Sequence, residues 1–127
     1  SKDPEAQAYL NMVNSLDNIK IFTTESPEVA KRMDAAVNSY LSSTKALGEL
    51  MRVKDDGQDI RFYSKDGKDE NHVKELLMHL TGVVDGKPST IIMSITGDID
   101  LKQISKLTEE MKVPGSKQLK NLDKKKN

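Results

Sequence analysis

The sequence predicts an α+β domain: a two-layer sandwich in which about five strands, mixed or antiparallel, pack against helices in the order α-β-α-β-β-β-β-α. Three observations predict it. Helix-start signals stand at Asp3-Pro4, at Ser26-Pro27-Glu28 and at Asp100. Between the last two, the apolar period changes from helical to alternating, with Asp56-Gly57 and Asp85-Gly86 as turn pairs. The 127 residues make one domain's worth of protein, so all these elements must share one core.

Taken in order, Asp3 caps a first helix, Pro4 fits its first turn, and Tyr9, Met12, Val13 and Leu16 recur at helical spacing. In DNIKIFT, Ile19 and Ile21 alternate with Lys20 and Phe22 as in a short strand. Ser26 caps a second helix with an apolar stripe of Val29, Met33, Ala36 or Val37, Tyr40 and Leu41. Two strands follow, one holding Leu47, Met51 and Val53, the other Ile60 and Phe62, joined through KDDGQD. SKDGKDEN reads as a loop.

Residues 72–82 fit two patterns. Val73, Leu76, Leu77 and Leu80 have helical spacing, whereas Leu76, Met78 and Leu80 alternate as in a strand. The Asp85-Gly86 turn and the β-branched run STIIMSIT favour a hairpin of two strands, the preferred reading. A last helix is specified by Asp100 as cap, Gln103 at capping-box spacing, Ile99 and Ile104 as a staple, and a stripe of Leu101, Ile104, Leu107 and Met111. Pro114-Gly115 stops it. The domain is therefore expected to span residues 1–115, with 116–127 a flexible Lys-rich tail.

The formal net charge of zero conceals an asymmetry. Residues 1–111 carry 14 basic and 19 acidic side chains, and residues 112–127 carry six Lys and one Asp. An acidic body thus ends in a basic segment, which is expected to make at most weak contact with an anionic surface. It lacks Arg and interleaved aromatic residues, so no specific nucleic-acid binding is expected. Leu119 and Leu122 would let it dock on its own body or on a neighbour. With no cysteine, disulfides, thiolate nucleophiles and Cys-ligated zinc are excluded for this stretch. No apolar run approaches the roughly 20 residues that span a bilayer.

The residue types that carry chemistry do not assemble into a known pattern. His72 and His79 match no metal spacing; on a strand they fall on opposite faces, on a helix together. The acidic groups Asp55/Asp56/Asp59, Asp66/Asp69/Glu70 and Asp98/Asp100 are explained by turn chemistry, loop solvation and helix capping, and lack calcium-loop spacing. Gly82, Gly86 and Gly97 sit near strand ends and belong to no phosphate loop. Ser94, His79 and Asp98 can be put together on paper as a triad, but no nucleophile elbow supports it. No catalytic, cofactor-binding or metal-binding residue, and no cofactor, is expected.

At residues 90–107, TIIMSITGDIDLKQISKL, a hydrophobic strand, TGDIDL and a striped helix resemble the C-terminal signature of the domain of unknown function numbered 4252. The resemblance takes in ESPEVAKRMDAAVNSY and the LGELMRVKDDGQDIRFYSK hairpin, about residues 9–111 in all. It implies a Bacteroidetes protein exported to the periplasm, or tethered to the outer membrane as a processed lipoprotein whose anchoring cysteine lies outside this stretch. It implies no reaction and supplies no catalytic residues. The leading functional expectation is a non-enzymatic cell-envelope module that binds or organises a protein partner or its own copies. The alternatives are a small-ligand-binding periplasmic domain and, more remotely, a hydrolase.

Overall fold

A computed structural model describes residues 3–122. The elements are α1 (Pro4–Asn14), β1 (Leu16–Thr24), α2 (Pro27–Ser43), β2 (Leu47–Asp55), β3 (Gln58–Asp66), β4 (His72–Val84), β5 (Lys87–Asp100), α3 (Leu101–Glu110) and a 3-10 turn, η1 (Ser116–Asn121). The expected α+β sandwich and element order are present. The sheet is entirely antiparallel, in the order β1-β5-β4-β3-β2.

Local signals placed the ends of these elements. The Asp3, Ser26 and Asp100 side chains accept hydrogen bonds from the backbone N–H of Glu5, Val29 and Lys102, satisfying donors that a helix start leaves open. Asp56-Gly57 and Asp85-Gly86 all have positive φ, between 51° and 80°. That is the backbone a two-residue hairpin turn needs to match the twist of its strands.

Residues 72–84 are a strand, as preferred. The helical spacing had a physical origin. β4 lies near the sheet centre with both faces covered, so Leu76, Met78 and Leu80 are buried on one side and Leu77 on the other. A register shift between Val73 and Glu75 then brings Val73 onto the core face as well. The resulting set of 73, 76, 77 and 80 mimics a helix stripe.

The main core lies between one sheet face and α1, α3 and η1. Phe62, Leu76, Met78, Met93 and Ile95 meet Met12 and Ile104 there, and all are buried. Ile99 and Ile104, the expected staple, are both fully buried. Of the expected α3 stripe, Leu101 and Ile104 are buried, Leu107 is half-buried and Met111 is exposed; Thr108, outside that stripe, is buried with its hydroxyl donating to the carbonyls of Ile104 and Ser105. The opposite sheet face carries α2 alone, and only Val37 of that helix is buried.

The core does not end at residue 115. Ser116–Asn121 form η1, and Leu119 and Leu122 are buried in the main cluster. Residues 116–122 therefore belong to the folded body and not to the expected tail, because two leucines at a spacing of three dock the segment while Lys117 and Lys120 stay at the surface. Lys120 pairs with Glu109 at 3.0 Å. Residues 123–127, the remainder of the expected tail, lie outside the described residues.

Candidate functional site: an open strand edge and an apolar groove

β1 is a sheet edge. It pairs with β5 on one side and, among the described residues, with nothing on the other, so half of its backbone N–H and C=O groups face outward. Ile19 lies opposite Ile95 and Ile21 opposite Met93, which places both on the core face of the sheet. No helix reaches far enough to cover them: Ile19 is 36% and Ile21 41% exposed. On the other face Phe22, opposite Ile92, is 53% exposed. Apolar side chains thus flank the open edge above and below.

The other edge, β2, is built differently. Its outer residues include Glu49 and Arg52, paired at 2.8 Å, and the exposed Lys54, and a register shift breaks its ladder between Glu49 and Met51. Charges and bulges of this kind discourage strand addition.

Beside β1, α2 leaves a groove of about 480 Å³ against the sheet, lined by Phe22, Met33, Val37, Tyr40, Leu77 and Ile92, with Lys20 and Ser94 at its border. Two polar bonds hold the helix over it. Tyr40 Oη donates to Glu75 Oε2 at 2.6 Å, and the tyrosine pKa is raised by that bond first and by burial second. His79 Nε2 lies 2.8 Å from Asp34 Oδ1. Since a carboxylate only accepts, the proton of that bond sits on Nε2.

The residues singled out in the sequence are dispersed. His72 Nδ1 contacts Asp69 Oδ1 at 2.7 Å, and this bond, with a second from the Asn71 N–H, holds the Asp69 carboxyl below its ordinary pKa. Seven residues of strand, roughly 20 Å, separate His72 from His79, so the two do not meet. Asp98 pairs with Lys68 at 3.4 Å at the far end of β5, and His79 takes its carboxylate from Asp34. The Ser94–His79–Asp98 arrangement is not formed. Each histidine has a carboxylate partner, and among the described residues neither is hydrogen-bonded to a hydroxyl nucleophile.

Asp59 pairs with Arg61 at 3.2 Å, and the guanidinium lowers the carboxyl pKa. Asp55 accepts from Gln118 Nε2 at 3.5 Å. With Asp56 and Asp85 it lines a cleft of about 510 Å³ that Lys112 and Lys117 also line. Part of the basic segment therefore lies along acidic turns of its own body. Among the described residues no group of three or more His, Cys, Asp or Glu side chains is placed to hold a metal, and no helix is long and apolar enough to cross a membrane.

The Asp34–His79 and Tyr40–Glu75 bonds had no signal in the sequence, because each joins α2 to a strand more than 30 residues away. The apolar alternation of β1 was visible. Its position at an edge was not.

This architecture defines an α+β sandwich whose distinctive surface is an uncovered apolar strand edge. The family described as a domain of unknown function (DUF4252) matches residues 1–107, and the chain belongs to that family. No curated protein matches the chain.

Proposed function

We propose that the chain is a non-enzymatic binding module that engages a protein partner by strand addition along β1. The observation that supports this reading is the contrast between the two sheet edges. β1 carries the exposed Ile19, Ile21 and Phe22 on a ladder that is regular from Asn18 to Thr24, whereas β2 carries an ion pair and a register shift in the middle of its ladder; each edge also has an exposed lysine, Lys20 and Lys54. In strand addition, main-chain hydrogen bonds supply affinity and the flanking side chains supply selectivity. A place in the cell envelope, in a Bacteroidetes organism and with a lipid anchor upstream, belongs to the same reading and derives from the family resemblance.

The test is affinity capture of the intact protein from its own cells in mild detergent, beside Ile21→Lys and a form lacking only residues 123–127. The reading expects a specific partner with the wild type and the shortened form, and its loss with Ile21→Lys. Equal recovery with Ile21→Lys would contradict it.

The groove beneath α2 favours a second reading, a small apolar ligand. Its volume lies within the range of about 300–1,000 Å³ usual for ligand sites, and its walls are largely apolar. Ala36 also lines it, so Ala36→Trp should fill the groove. This reading expects a fluorescent fatty acid to bind the wild type and not that variant.

A further inference from the structure

We infer that the partner on β1 is a second copy of this chain, paired antiparallel through β1 about a two-fold axis at Ile21, so that the two five-stranded sheets become continuous. The inference rests on the strand-addition reading above and specifies its occupant and register.

The register follows from where β1 is regular. Its ladder with β5 is disrupted between Leu16 and Asn18, and is uninterrupted from Asn18 to Thr24. Ile21 is the midpoint of that stretch. An axis there uses all of the regular strand, whereas any displacement either shortens the pairing or draws the bulge into it.

A two-fold perpendicular to the sheet preserves its faces, so each side chain must meet a partner on its own face. With the axis at Ile21, the two Ile21 side chains oppose each other on the core face, and Ile19 opposes the partner's Thr23. On the α2 face Lys20 opposes the partner's Phe22, and Asn18 opposes the partner's Thr24. An ammonium beside an aromatic ring is an attractive pair. Moving the axis one residue, to Lys20, sets the two Lys20 side chains against each other, and like charges directly opposite are destabilising. Moving it to Ile19 sets Asp17, inside the bulge, against the partner's Ile21. Side-chain matching therefore excludes displacement toward the N-terminus, and an axis at Phe22 is disfavoured because it shortens the regular pairing to Lys20–Thr24.

The β2 edge explains why assembly stops at two. Pairing through β1 consumes the open edge of each copy and leaves only the charged, bulged β2 edges outside. A closed two-fold dimer results rather than a growing sheet.

The test uses the absence of cysteine, which makes any introduced thiol the only one in the chain. Directly opposed side chains have Cβ atoms about 4.5–5.5 Å apart, near the roughly 3.5–4.5 Å that a disulfide spans, so Ile21→Cys should crosslink between chains under mild oxidation in preference to any other β1 position. Ile19→Cys places its two thiols about 13 Å apart along the strand and should remain uncrosslinked. In sedimentation the wild type should run at twice the 14.2 kDa chain mass, and Ile21→Lys at the single mass. Preferential crosslinking of Ile19→Cys would overturn the register. A wild type that stays monomeric at about 100 µM would overturn the second-copy inference. If Ile21→Lys then still abolished capture of a different protein, the strand-addition reading would stand without it. If that capture were unchanged as well, both would fall.

Discussion

Tyr40 Oη donates to Glu75 Oε2 at 2.6 Å, and this bond fastens the C-terminal part of α2 to the centre of the sheet. Glu75 is buried, and the hydroxyl supplies it with a donor. Because the tyrosine pKa is raised in the folded state, the bond's stabilisation is fully present below about pH 10 and is lost as pH rises through the folded value. Tyr40→Phe should lower stability at pH 7 by about 1 kcal/mol and flatten the alkaline limb of a stability–pH curve. Urea unfolding followed by circular dichroism between pH 7 and about pH 11 measures both effects.

Acid acts through a different pair. Arg61 holds the Asp59 carboxyl below its ordinary pKa, so the pair's contribution is present at neutral pH and disappears as pH falls below about 4. Asp59→Asn should lose that acid-dependent portion, so that its urea midpoint lies closer to the wild-type value at low pH than at neutral pH. Added salt should shrink the neutral-pH difference, since both side chains are partly exposed.

Leu119 tests where the domain ends. Its side chain is buried in the main cluster, so Leu119→Ala should cost about 2–5 kcal/mol, the usual range for a buried leucine. Ending the chain at residue 115 should be still more damaging, since it removes both Leu119 and Leu122 from the cluster. Differential scanning calorimetry on the wild type and both altered forms decides it.

Gly97 sits where β5 passes the start of β1. Its φ is +138°, and a Cβ there would lie 2.6 Å from the Ser15 carbonyl oxygen and 2.7 Å from the Leu16 Cα. Neither atom can withdraw without moving the backbone that launches β1. Gly97→Ala should destabilise the fold by about 2 kcal/mol or more, read from the urea midpoint. It should also loosen the β1–β5 pairing, seen as faster amide exchange in Leu16–Thr24.

What the sequence revealed and what it concealed divide along range of interaction. Caps at Asp3, Ser26 and Asp100, and the two Asp-Gly turns, were legible because their partners lie within a few residues. β4 was ambiguous because a centrally buried, bulged strand carries apolar residues at helix-like intervals. Leu119 and Leu122 have the spacing to dock, yet six lysines in 16 residues make the segment resemble a solvated tail. The candidate site was the least legible part. Nothing in LDNIKIFTT shows that β1 would pair with β5 and lie at the opposite edge from β2. Likewise nothing near Asp34 points to His79, 45 residues away.

Whether the outer edge of β1 is the proposed pairing surface is read from backbone amide exchange across Asn18–Thr24. In the isolated chain, the amides of β1 that face away from β5 should exchange fast and the inward ones slowly. As protein concentration rises, the outward amides should become protected while those of β2 do not change. Exchange in β1 that is independent of concentration and equally unaffected by captured partner, or protection that appears on β2 instead, would contradict it.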